Sequence, residues 1–129
     1  MKDITIALFV LCAILNVPVD AQETKSTDPE RVVHVVLFKF KGQTTKKQIL
    51  NLKNEIFKQK GNVAGLLEIS FGEDFTGRSK GYTHAEVAVF EDRKSLEGFN
   101  KSAYHQQLIA THIKPILEEI LVLDYQQIK

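Results

Sequence analysis

Apolar positions recur along this chain with two periods, and the switches between them set out the elements. Val32–Phe40 alternates as a strand. One side carries Val32, His34, Val36, Phe38 and Phe40, and the other Val33, Val35, Leu37 and Lys39. Both sides are mainly apolar, so this strand has to be covered on both faces. Thr45-Lys46-Lys47-Gln48 has the spacing of a capping box, and Gly61 supplies a stop. Between them Ile49, Leu52, Ile56 and the neighbouring Phe57 form a stripe at helical period. Leu66–Phe71 predicts a second strand ending in Gly72. Glu73–Lys80 is a polar loop containing Gly77, and Gly81 allows a tight turn into a third strand, Thr83–Phe90. Asp92 caps a short helix holding Leu96 and Phe99. Ser102 caps a longer one, in which His105, Leu108, Ile109 and His112 fall at i, i+3, i+4 and i+7 on one face. Pro115 sits near its end. In the last strand, Glu119–Tyr125, Leu121, Leu123 and Tyr125 lie on one side, with Ile120 and Val122 on the other.

The order strand, helix, strand, strand, helix pair, strand is that of a ferredoxin-like split βαβ, an α+β fold with one antiparallel sheet. Strands one and three are expected side by side in the middle, and are read as parallel to each other. The helices cover one face of the sheet. A second copy packed on the other face would bury what is left, so the pattern predicts a homodimer.

The first 30 residues add nothing to this core. Met1-Lys2-Asp3 precedes an apolar run of 14 residues, Ile4–Val17, and Val19-Asp20-Ala21 offers small residues beyond it. This is the pattern of a secretory signal peptide over 1–21, and the run is short of the roughly 20 residues that span a bilayer. Residues 22–30 are polar and read as a disordered leader. The domain then occupies 31–125, with a tail over 126–129. The expectation is a secreted or periplasmic protein with no membrane association once the signal is cleaved near Ala21. Cleavage removes Cys12, the single cysteine, and with it any disulfide, thiolate nucleophile or cysteine metal site. It leaves 16 basic and 14 acidic residues among 108, a balance that calls for neither nucleic acid nor an anionic membrane.

Several segments taken in order resemble a known family. They are His34-Val-Val-Leu-Phe-Lys-Phe-Lys41, Ser70-Phe71-Gly72, Gly81-Tyr82-Thr83-His84 with Phe90, Tyr104-His105, and Leu123-Asp124-Tyr125. Together they span Arg31 to Tyr125, and the chain is similar to the stress-responsive dimeric α/β barrel (Dabb) domains. The resemblance implies the ferredoxin-like fold and a two-chain barrel. The family includes a plant cyclase that closes a polyketide by an aldol reaction, and His105 stands where its base stands. His34 and His84 match its strand histidines. Phe99 occupies its tyrosine position, and Ser102 and Ala103 replace its His-Pro. The expected ligand pocket includes Phe99, Tyr82, Leu108 and Ile109.

The histidines carry the candidate chemistry. His34 and His84 lie near the starts of neighbouring strands, and two parallel strands would place them at one end of the sheet. Each buried imidazole needs hydrogen-bond partners, which a ligand, the other histidine, backbone or Glu86 can supply. His105 lies in the first turn of its helix, where the dipole disfavours added positive charge, and a neutral histidine is a usable general base. His112, one turn further on, has no matching role. No histidines are closely spaced and no cysteine remains, so no metal site is assigned. His105 as a haem ligand has no further support, and no cofactor is assigned. Asn100-Lys101-Ser102 is a formal glycosylation sequon. The loop with Arg78, Ser79 and Lys80 is either a solvated turn or a cover for a pocket mouth. Two classes of function remain. One is a histidine-lined pocket for a small hydrophobic or carbonyl-containing molecule, with cyclase- or lyase-like proton transfer. The other is a non-catalytic stress-response or scaffold dimer whose histidines are structural.

Overall fold

A computed structural model describes residues 30–127; the expected signal peptide and most of the leader lie outside them. Strand β1 (Val32–Phe40) leads through helix α1 (Lys46–Lys58) to β2 (Leu66–Glu73) and β3 (His84–Phe90). Helices α2 (Arg93–Lys101) and α3 (Ala103–Leu108) follow, then a π-helical turn over Ile109–Ile113 and strand β4 (Leu117–Gln126). The caps read from the sequence are present. Thr45 and Gln48 form a reciprocal capping box on α1, Asp92 accepts from the Ser95 amide, and Ser102 accepts from the His105 amide. Gly81 adopts φ +94°, a conformation open to glycine, as the chain turns into β3.

The sheet order is β2-β3-β1-β4, and every neighbouring pair is antiparallel. Strands β1 and β3 are indeed central neighbours, but they are antiparallel, which corrects the parallel reading. The β1–α1–β2 crossover returns β2 in the direction of β1, and β3 reverses from β2 into the gap between them. His34 therefore pairs in register with Ala88, whereas His84 pairs with Phe38. The two histidines stand four positions apart along β1, about 13 Å at about 3.3 Å per residue. They are at opposite ends of the sheet rather than at one.

Even-numbered β1 residues face the helices. Val36 and Phe38 pack with Leu52, Ile56, Leu108, Ile113 and Ile116 in one core cluster. Val32 joins Leu66, Ala88, Phe90, Leu96 and Phe99 in a second. The π turn, closed by the Lys114 amide on the Ile109 carbonyl, inserts one residue into the helical register. The inward position after Leu108 thus falls on Ile113, not His112, and the expected four-residue face of the last helix breaks at Ile109.

Among the described residues, no helix covers the odd-numbered face. Val33, Val35 and Leu37 of β1 lie in register with Val89, Val87 and Ala85 of β3, and with Tyr125, Leu123 and Leu121 of β4. Leu121, Leu123 and Tyr125 are each exposed. The edge strand β4 also leaves Ile120 and Val122 exposed on its helix-facing side.

Candidate functional site

Three of the candidate residues come together where β1 meets the α2–α3 joint. His34 is buried on the helix-facing side of β1, with its Nδ1 2.5 Å from Asp124 Oδ1 on the neighbouring strand. Strand register brings this pair together, since His34 and Asp124 are direct partners across the β1–β4 ladder. Phe99, fully buried, meets the His34 ring edge-on at 5.9 Å and packs against the His105 ring at 3.9 Å with the two planes tilted by 40°. His105 also places Nδ1 3.3 Å from Gln59 Oε1 at the end of α1.

The electrostatics follow from burial. His105 is held down to about 4, first because its environment disfavours the charged ring and then because positive charge on His34 adds to that penalty. It is therefore neutral near pH 7, through burial and the neighbouring His34. In the neutral tautomer of His34 that donates from Nδ1 to Asp124, the lone pair lies on Nε2. Asp124 is itself partly exposed and lines a surface cleft of about 270 Å³ with Val32, Arg93, Glu97, Tyr125 and Gln126. Phe99 borders a cavity of about 490 Å³ with Val63, Gly65, Ser95, Ser102 and Tyr104 among its walls.

The other candidates lie elsewhere. His84 packs between Phe40 and Phe71, with ring centroids at 5.1 and 5.5 Å, and bonds Thr83 Oγ1 through Nδ1. Burial lowers its pKa, and the nearby Glu73 carboxylate offsets part of that. The Tyr82 hydroxyl donates to Glu119 Oε1 at 2.8 Å, beside the Lys39–Glu118 ion pair rather than in a pocket with His105. Leu108 is a core residue and Ile109 packs against the same cluster. His112 faces a different surface, lined by Asn51, Glu55, Phe57 and Lys58. The antiparallel direction of β1 and β3 accounts for the separation of His84 from His34.

Two polar residues of this region, Asp124 and Gln59, have no role that the sequence assigns. Asp124 is detectable as the one acid within the apolar run Ile120–Tyr125 of β4. Gln59 is fully buried with Nε2 unpartnered, and nothing in its local sequence marks it. Glu86, expected as a bonding partner for the histidines, forms no side-chain hydrogen bond with them. It lies between Val36 and Phe71 in register, with Oε1 unpartnered, and burial pushes it up to about 7. Among the described residues, no cluster of histidines and acids has the arrangement of a metal site.

A four-stranded antiparallel sheet in this order, with its helices on one face, defines a ferredoxin-like protein. Residues 32–127 match the Stress responsive A/B Barrel Domain, and the chain belongs to that Dabb family. It is similar to the hydroxynitrile lyase from Passiflora edulis, with 27% identity over 78% of this chain and 96% of that one, at a TM-score of 0.71. A Dabb family protein with a ferredoxin-like fold from Mesorhizobium loti is 16% identical, covering 78% and 99% of the two chains, at a TM-score of 0.68. A dimeric ferredoxin-like protein of unknown function from Thermobifida fusca is 19% identical, covering 76% and 92%, at 0.67. No match is found among curated proteins.

Proposed function

We propose that this chain is an exported, homodimeric Dabb protein that binds a small carbonyl-containing or cyanohydrin-like molecule and moves a proton on it. The His34–Asp124 pair carries the reading. A carboxylate on Nδ1 orients the imidazole and fixes its tautomer, which leaves Nε2 to take a proton from a hydroxyl or from carbon beside a carbonyl. His105, held neutral on the other side of Phe99, supplies a hydrogen-bond partner rather than a charge. The base is thus His34, not His105. Similarity to a hydroxynitrile lyase supports lyase chemistry as the first to be tried.

The alternative is a non-catalytic dimer, and one observation favours it: Phe99 is fully buried and fills the space against both rings. Racemic mandelonitrile, with release of benzaldehyde followed by absorbance, separates the two. The catalytic reading expects release above the buffer rate and a loss of ~10² or more in His34→Gln, the scale of a lost general base. Release no faster than buffer, or unchanged in a folded His34→Gln protein, overturns it. N-terminal sequencing of the mature protein tests export, with a start near Gln22 expected.

A further inference from the structure

Helix α1 carries a second pattern besides its core stripe. Lys46, Ile49, Leu50 and Lys53 fall at i, i+3, i+4 and i+7, which places two apolar side chains between two cations on one face. This face does not turn into the core: Leu50 is 54% exposed, an unusual place for a large apolar residue between two lysines. It looks instead onto the β2–β3 edge, where Phe71, Gly72, Glu73 and His84 complete a cavity of about 390 Å³. That size lies within the range of about 300–1,000 Å³ common for small-molecule sites.

We infer that this cavity is a binding site, separate from the His34–His105 cluster, for a monoanionic small molecule with an aromatic body. Each part of that description has a residue behind it. Phe71 and His84 stack on one another, 27° apart, and form an aromatic wall for a flat apolar body, with Ile49 and Leu50 also lining the cavity. Lys46 and Lys53 supply the positive charge. Among the described residues neither forms a salt bridge, although Lys58 of the same helix pairs with Glu55. Lys53 lies 5.8 Å from the Phe57 ring, a contact that leaves its ammonium free to meet an anion. Glu73, on the strand side, repels a second negative charge and so sets the limit at one.

Titration of the ¹⁵N-labelled protein with 1-naphthoate, and with neutral 1-naphthalenemethanol, tests this. Saturable shifts are expected in the amides of Lys46–Lys53 and Phe71–Glu73, weakening as salt is raised. The exposed double substitution Lys46→Gln/Lys53→Gln should weaken naphthoate at least fivefold and leave the alcohol unchanged. His34→Gln should leave both unchanged, so failure of the proton-transfer reading does not affect this result. Absence of saturable shifts, shifts confined to another surface, or a smaller loss in the double variant overturns the site.

Discussion

Phe99 and His105 pack with ring centroids 3.9 Å apart, their planes tilted by 40°, across the joint at Ser102, which ends α2 and caps α3. The contact removes water from one face of the imidazole, and the protonated ring has little to replace it. This is why His105 is held down to about 4 from its ordinary 6.5.

That displacement makes stability depend on pH in a definite direction. Between about 6.5 and about 4 the unfolded chain binds a proton at His105 that the folded chain does not. The stabilisation is therefore complete above 6.5 and lost as pH falls towards 4. Urea midpoints at pH 7 and pH 4.5 should differ more in the parent than in His105→Leu, which has no proton to take up. Equal differences in the two proteins would show that His105 is not held neutral by burial.

Glu86 predicts a slope in the opposite direction. Its carboxyl is raised to about 7 by burial, with Oε1 unpartnered. From about 4.5 to about 7 the unfolded chain has lost the proton that the folded chain still holds, so stability falls as pH rises through that window. The full cost of ionisation is about 3 kcal/mol. Glu86→Gln, which keeps the shape of the protonated acid, should match the parent at pH 4 and exceed it by about 2–3 kcal/mol at pH 8. A variant no more stable than the parent at pH 8 would mean that the ionised carboxylate finds a partner.

Phe99→Tyr adds a hydroxyl at a fully buried ring. Without a partner it should cost about 1–3 kcal/mol, read as a lower urea midpoint at pH 7. Unchanged stability would mean that the hydroxyl reaches an acceptor, with His105 the nearest ring to offer one.

Local signals made most of this fold legible. Thr45, Asp92 and Ser102 each cap where their spacing placed them, because a cap depends on residues three apart. The period-two faces of β1 also read correctly, because Val32–Phe40 is bonded to a neighbour on both sides. Strand direction is not local. It depends on the crossover through α1, and the error there moved His84 to the wrong end of the sheet. The π turn was hidden for a related reason: Ile109–Ile113 looks helical at period 3.6, and only packing of Ile113 and Ile116 into the core selects the extra residue. Within the candidate site, the meeting of His34, Phe99 and His105 was foreshadowed by family position. The partners that set their chemistry, Asp124 and Gln59, come from distant segments and leave no joint pattern in the chain.

The sheet face that no described helix covers supplies the last prediction. Val33, Val35 and Leu37 form its centre, flanked in register by Val87 and Val89 on β3 and by Leu121, Leu123 and Tyr125 on β4. The β4 residues are between 44% and 53% exposed in the single chain. A continuous apolar face of three strands is larger than a lone soluble chain ordinarily leaves in water, and an identical face on a second copy buries both. Substitution of Val35 or Leu37, which are half-buried already, would confuse lost association with lost folding. Leu123 is the better probe, because at 53% exposure it contributes little to the single chain's own core. Sedimentation at micromolar concentration should give twice the chain mass for the parent and one chain mass for Leu123→Asp, with an unchanged far-UV circular dichroism spectrum. A parent that sediments as one chain, or a Leu123→Asp protein that remains paired, would show that something other than this face closes the sheet.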